Sequence, residues 1–309
     1  MHAAVVTEFT RPPRFTEFDE PPVPAGSRLV AVEAAAVHRI VRSVAAGAHY
    51  SADGVLPLVP GVDGVARLED GTRVYTGGPA EPFGMLAERA AVPDRFVFPV
   101  PETLDSALAA AIVNPAMSSW APLAVHLRAG ATVLVVGATG ASGGLAVRIA
   151  RHLGAGRVIA AGRNADALEA LGAAADGTIL LGGDVAAGLA EAAPEGVDLV
   201  LDYLWGTVAE RLLEPVARAA RASGRAVQWV QIGAVAGADI VLPSALLRQA
   251  PLTLLGSGIG SIQPAVLGRV IPAILESAAA GDISIEVETH PLAQVEAAWD
   301  RPGRLVFLP

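Results

Sequence analysis

The rhythm of apolar and polar positions changes near residue 100. Before it, short apolar or alternating runs predict strands over Ala3–Val6, Ser27–Val37, Val65–Leu68 and Arg73–Tyr75. Pro12-Pro13 and Pro21-Pro22-x-Pro24 break the chain between them. Pro60-Gly61-Val62-Asp63-Gly64 reads as a tight turn, Asp70-Gly71 as a hairpin, and Gly84–Val92 as one further strand. After Pro101 the spacing becomes helical. Thr103 or Asp105 can cap a helix over Ser106–Val113, Asn114-Pro115 interrupts it, and a second helix follows over Ala116–Leu127.

From Ala131 the pattern alternates strand and helix. Val133–Val136 is a short β-branched run fit for burial on both faces, and Ala141–Leu153 carries apolar residues at Leu145, Ile149, Ala150 and Leu153. Arg157–Gly162 is the next strand. Strands over Gly177–Leu181, Val197–Tyr203, Arg225–Ile232 and Leu252–Gly256 follow, with helices over Asp166–Leu171, Val185–Ala193 and Thr207–Ala222 between them. Six strands so connected imply an α/β doubly wound parallel sheet. The last stretch predicts a helix over 265–281, strands over Asp282–Glu288 and Arg304–Phe307, and a short helix over Pro291–Trp299 between those strands.

The turn after Val136 carries chemistry. Gly137, Gly140, Gly143 and Gly144 punctuate it, and Ala138-x-Gly140-x-x-Gly143 lies where strand meets helix. Glycine leaves no Cβ between backbone and ligand. The first N–H groups of a helix lack intrahelical partners and, with the helix dipole, favour an anion such as a pyrophosphate. A glycine-rich turn that merely packs helix on strand is the plain alternative. The contacts expected here are Gly140, Ala141, Ser142 and Gly143. The second strand ends in Gly162-Arg163-Asn164, where NAD-binding units usually place Asp or Glu. Arg163 offers a planar fork suited to a 2′-phosphate and Asn164 a further donor, so the expected cofactor is NADPH. Arg163 could equally be a solvated strand-end residue, and Asp166 a helix N-terminal charge.

Composition narrows the class. The chain has 309 residues, 52% apolar and only 17% charged, which supports a large core. A net charge of −9 without any basic block argues against nucleic acid. There is no cysteine, so disulfides, thiolate metal sites and cysteine nucleophiles are excluded. His38, His49 and Asp63 offer no metal-ligand spacing, and no metal is expected. The absence of a long uninterrupted apolar run and of a leader-like start gives the expectation of a cytoplasmic protein without a membrane span.

Taken together, Pro60–Gly64, Gly71-Thr72-Arg73-Val74, Gly84-x-x-Ala87-Glu88, Ala111 to Trp120, the Gly137–Gly144 turn, Asp198-x-x-x-Asp202 and Gly303-Arg304-Leu305-Val306 give a specific order and spacing. It resembles the zinc-independent branch of the medium-chain dehydrogenase/reductase superfamily, the quinone oxidoreductase-like enzymes. The resemblance implies a GroES-like β-rich substrate domain (1–115 and 262–309) and a Rossmann dinucleotide-binding domain (116–261), with the active site in the cleft. It also implies a homodimer joined through the sixth strand, Leu252–Leu255. Two departures stand out. Gly61 is followed by Val62-Asp63 where zinc enzymes have His-Glu, and His38-Arg39-Ile40-Val41 stands where these reductases usually have Asn-Pro-x-Asp.

Hydride transfer needs the nicotinamide beside its acceptor and often a proton donor. His38 and Tyr50 are the candidates for that donor, against the alternatives of a packing histidine and an ordinary loop tyrosine. Further cofactor contacts are expected at Ser118, Asp202, Tyr203, Ile232, Gly233, Ser257 and Gly258. Ser118 could instead bond backward along its helix, and Asp202 could satisfy local backbone N–H groups. The reading is an NADPH-dependent oxidoreductase acting on a quinone or activated alkene or carbonyl, without zinc. An enoyl or carbonyl reductase of a biosynthetic pathway and a non-catalytic NADPH-binding sensor are the alternatives.

Overall fold

The computed structural model describes residues 1–49, 54–258 and 260–309, and all element counts here refer to these. The chain divides into two compact units, Met1–Asn114 with Ile271–Pro309, and Pro115–Val270.

The first unit is built on β-structure. β1 (His2–Val5) and β2 (Arg14–Glu17) form an antiparallel pair. β3 (Ser27–Ala36) is the long central strand and leads through His38 into α1 (Arg39–Ala45). β4 (Asp63–Arg67), β5 (Arg73–Gly77), β6 (Arg89–Pro93) and β7 (Val97–Pro99) complete its N-terminal portion. The Asp70-Gly71 hairpin joins β4 to β5 as its turn chemistry dictates. Gly84–Val92 is strand only from Arg89, because Met85 and Leu86 donate instead to Gly61 and Pro60 carbonyls of the preceding turn. Gly61 adopts φ +121° there, and a Cβ would lie 2.6 Å from Met85 N.

α2 (Ser106–His126) is one helix, not two. Pro115 lies inside it, yet the helix continues because its residues are mostly buried and burial outweighs the local break. It is long and apolar enough to cross a membrane by length and composition, but 72% of its most apolar window is buried inside the protein.

The second unit is a parallel six-stranded sheet of β8 (Thr132–Val136), β9 (Arg157–Gly162), β10 (Gly177–Leu180), β11 (Leu199–Asp202), β12 (Val227–Gln231) and β13 (Leu252–Gly256). Their order in the sheet is β10-β9-β8-β11-β12-β13, so the winding reverses between β8 and β11. α3 (Ala141–His152), α4 (Ala165–Glu169), α5 (Val185–Ala192), α6 (Gly206–Ser223) and α7 (Ser244–Gln249) connect the strands. Leu134, Val136, Ile159, Val200, Leu212 and Trp229 sit in one core cluster, as all-apolar strands buried on both faces require.

α8 (Pro264–Ala280) carries the chain out of the second unit. β14 (Glu288–Pro291), α9 (Val295–Ala298) and β15 (Leu305–Leu308) then complete the first unit, β15 pairing antiparallel with β3 and parallel with β14. The strand expected over Asp282–Glu288 begins only at Glu288, whose N–H donates to Arg304 O and sets the register. The resulting sheet order is β14-β15-β3-β4-β5-β7, with β6 also on β3.

Candidate functional site

In the second unit the turn between β8 and α3 is shaped by what a side chain would strike. Gly137 has φ +95°, and it and Ala138 both donate to Ala161 O, tying the turn to β9. A Cβ on Gly143 would lie 2.1 Å from Gly137 O, so the helix start rests directly on the turn. A Cβ on Gly162 would lie 2.4 Å from the Thr139 methyl. Gly140 differs: its nearest neighbour would be 3.5 Å away, so this position is open. Gly140 is the N-cap of α3 and no side chain caps the helix; the first bond back along it is Gly144 N–H to Gly140 O. The N–H groups of Ala141, Ser142 and Gly143 therefore remain for an anion, with the helix dipole behind them. The turn stands beside the reversal between β8 and β11, where open sheets of this kind bind ligands.

Arg163 is exposed just beyond β9 and forms no hydrogen bond or ion pair among the described residues. The chain contains no lysine, so an always-charged partner for a phosphate can only be arginine. Asn164 is the N-cap of α4: its Oδ1 accepts from Ala167 N at 3.0 Å, leaving only its amide hydrogens for a ligand. Asp166 lies in the first turn of α4, the helix-terminal position anticipated for it.

The expectation for Asp202 is corrected. It is fully buried, Oδ1 accepts from Leu204 N at 2.8 Å and Trp205 N at 3.0 Å, and Oδ2 accepts from Trp229 Nε1 at 3.1 Å. Burial pushes its pKa up, with those donors opposing. It braces the strand end that a ligand would meet and does not itself reach one. Tyr203 follows, buried, with its hydroxyl 3.0 Å from Ser118 Oγ. Ser118 donates to Pro115 O at 2.6 Å, so the phenol must donate to Ser118. Ser118 thus has no hydrogen left for a cofactor, the backward-bonded alternative for a helix serine. Ile232 and Gly233 N–H groups both donate to Asp202 O, and a Cβ on Gly233 would lie 2.7 Å from Tyr203 O. Ser257 N–H donates to Gln231 O, Gly258 N–H to Ser261 Oγ, and the space beside Gly256 and Gly258 is open.

The first unit holds a buried polar cluster that reasoning from sequence did not assemble. His38 and Asp63 are 2% and 4% exposed. Arg304 Nη1 donates to His38 Nδ1 at 2.9 Å. A guanidinium only donates, so Nδ1 is the acceptor and Nε2 carries the proton, which goes to Asp63 Oδ1 at 3.0 Å. Asp63 Oδ2 accepts from Asn114 Nδ2 at 2.6 Å. Tyr75 lies fully buried against Asp63; burial, together with that charge, raises the phenol pKa well above its usual value. Burial lowers the Arg304 pKa, and Asp63 opposes this. His38 is corrected as a proton donor, because both ring nitrogens are spent inside the protein. Tyr50 lies outside the described residues.

Comparison with known proteins decides the kinship. A probable NADPH-dependent quinone reductase of Emericella nidulans is 31% identical over 362 aligned positions, covering all of both chains. The chain belongs to the quinone oxidoreductase family of medium-chain dehydrogenases/reductases. Quinone oxidoreductase from Thermus thermophilus, whose structure is also known as its complex with NADPH, superimposes with a TM-score of 0.80 at 28% identity over the whole of both chains. A mycobacterial quinone oxidoreductase has the same fold, with a TM-score of 0.85 at 22% identity over both full lengths. No family model matches the chain.

Proposed function

We propose that this protein is an NADPH-dependent reductase that delivers hydride to a quinone or to an activated alkene or carbonyl. The observation that carries it is the uncapped start of α3 behind an open Gly140, in a chain related along its full length to a quinone reductase. In this reading 116–261 binds the nucleotide and 1–115 with 262–309 forms the substrate domain. The N–H groups of Ala141, Ser142 and Gly143 hold the pyrophosphate, and Arg163, with the Asn164 amide hydrogens, takes the 2′-phosphate. The open backbone at Gly256 and Gly258, and the strand ends at Ile232 and Gly233, leave room for the nicotinamide half. The bound cofactor supplies the hydride; the protein supplies orientation and a dry setting.

Catalysis without zinc is part of this reading. With both His38 nitrogens paired internally, the proton that follows the hydride comes from solvent or from Tyr50. A cytoplasmic homodimer, joined along the exposed edge of β13, is also part of it.

The test is purified protein with NADPH and a panel of naphthoquinones, enones and aldehydes. NADPH oxidation with a quinone or enone is the expected result. Tight NADPH binding with no oxidation across the panel would instead favour a sensor.

A further inference from the structure

Between Gly137 and Ala141 only Thr139 has a side chain that can donate a hydrogen bond. Its place is set by the backbone around it. Gly137 and Ala138 N–H groups both donate to Ala161 O, which carries the next residue over the end of β9. There Gly162 has no side chain, and a Cβ on it would lie 2.4 Å from the Thr139 methyl and 3.1 Å from Thr139 Oγ1. The methyl fills the volume that a side chain at 162 would need. A β-branched residue has few χ1 choices, so seating the methyl also fixes the direction of the hydroxyl.

That hydroxyl is unspent. It makes no hydrogen bond among the described residues, and it is not one of their buried polar atoms left without a partner, so it is open to solvent. Ser118 and Ser119 differ, since they give their hydrogens to Pro115 O and Ala116 O. Arg163 follows Gly162 directly, with about 3.8 Å between their Cα atoms. It too is exposed and without a partner among the described residues. One free donor from the glycine turn and another from the strand end thus lie beside the same point, the carboxyl end of β9. From Gly137 to Ala165 the chain carries no carboxylate to repel an anion there.

We propose that Thr139 is a second specificity residue for the cofactor, its hydroxyl donating to the 2′-phosphate from the side of the turn while Arg163 grips the same group from the side of the strand. This rests on the nucleotide binding proposed above, in which the end of β9 meets the adenosine ribose. A phosphate monoester carries about −1.5 to −2 charge at pH 7 and presents strong acceptor oxygens. An O–H donated to such an oxygen is charge-assisted, and one donated to a ribose 2′-OH is not. The Thr139 hydroxyl therefore favours the phosphorylated nucleotide over the plain one. The two donors divide the work. Arg163 supplies charge on a long stem that nothing holds, and Thr139 supplies a neutral donor held in place by packing. The fixed donor sets where the phosphate sits, and the guanidinium follows it.

The experiment titrates the full chain calorimetrically with NADP⁺, 2′,5′-ADP and 5′-AMP; the last two differ only by the 2′-phosphate. Wild type, Thr139→Val and Thr139→Ser are compared, each with a melting curve. Thr139→Val keeps the methyl that packs on Gly162 and removes only the hydroxyl, so its Tm should match that of wild type. It should weaken 2′,5′-ADP and NADP⁺ by about fivefold, the worth of a typical net hydrogen bond, and leave 5′-AMP unchanged. Thr139→Ser, which keeps the O–H, should hold most of the wild-type affinity for 2′,5′-ADP. If Thr139→Val proves unstable, Thr139→Ala carries the same comparison. Wild-type affinity for 2′,5′-ADP in the variant without the hydroxyl overturns the proposal. So does an equal loss for 2′,5′-ADP and 5′-AMP, which would put the hydroxyl on the part they share. If wild type itself binds none of the three nucleotides, the nucleotide reading fails and takes this proposal with it; binding that Thr139→Val leaves intact defeats the role of Thr139 alone.

Discussion

The Tyr203 hydroxyl lies 3.0 Å from Ser118 Oγ and, because Ser118 donates to Pro115 O, it can only give its proton inward. What Tyr203 offers outward is therefore an acceptor lone pair, not an acid. Burial pushes its pKa up to about 12.

That pair predicts an alkaline signature. Tyr203 has a folded pKa above its unfolded value near 10, so its contribution to stability is whole below pH 10 and is lost as pH climbs from there to about 12. The loss across that window is on the order of 2–3 kcal/mol at most. Urea denaturation at several pH values from below to above that window should show wild type weakening faster than Tyr203→Phe.

Gly143 and Gly140 should separate fold from ligand binding. Gly143→Ala must push its Cβ into the Gly137 carbonyl and should cost several degrees in Tm together with NADPH affinity. Gly140→Ala meets nothing closer than 3.5 Å, so its Tm should stay near wild type, while NADPH affinity should fall at least about tenfold if the pyrophosphate approaches here as proposed. Calorimetry and a melting curve on each variant check this.

Asp202 provides the opposite case. Asp202→Ala strands the N–H groups of Leu204, Trp205 and Trp229 and should cost about 2–4 kcal/mol of stability. NADPH affinity of the folded fraction should change little. A variant of normal stability that no longer binds NADPH would return Asp202 to the ligand.

The glycine turn between β8 and α3 was legible because its signals are local. Gly137 to Gly144, the run Val133–Val136 before them and the periodicity from Leu145 to Ile149 all fall within one short stretch. The doubly wound parallel sheet followed from strand and helix alternation, which leaves few connections open. The cluster around Asp63 was not legible, since its contacts to His38 and Asn114 and that of Arg304 to His38 span 25, 51 and 266 positions, and nothing in the local pattern brings these residues together. His38 was visible as a departure from its family's pattern, but only the Arg304 contact reveals that its proton is unavailable. Asn114 looks like a helix break in sequence, because Pro115 follows it and tertiary burial cannot be seen in a window of a few residues. α1 escaped notice for a related reason: seven residues, Arg39–Ala45, are too few to show a helical period.

Asn164 predicts a smaller effect than its neighbour. Its Oδ1 caps α4, so Asn164→Ala should lose about 1 kcal/mol of stability and only a fewfold in NADPH affinity, whereas Asn164→Asp should keep the cap and place a charge unfavourable to a phosphate nearby. Paired melting and nucleotide titrations distinguish the two contributions.

The central claim is that a diphosphate rests on the start of α3 while Arg163 selects the phosphorylated adenosine. Calorimetric titration of NADPH and NADH into wild type and Arg163→Ala tests it most directly. The account predicts a preference for NADPH of at least about tenfold in wild type, as a charge-assisted guanidinium–phosphate bond would give, that largely disappears in Arg163→Ala with NADH affinity unchanged. Failure of both nucleotides to bind, or a preference that survives the substitution intact, would contradict it.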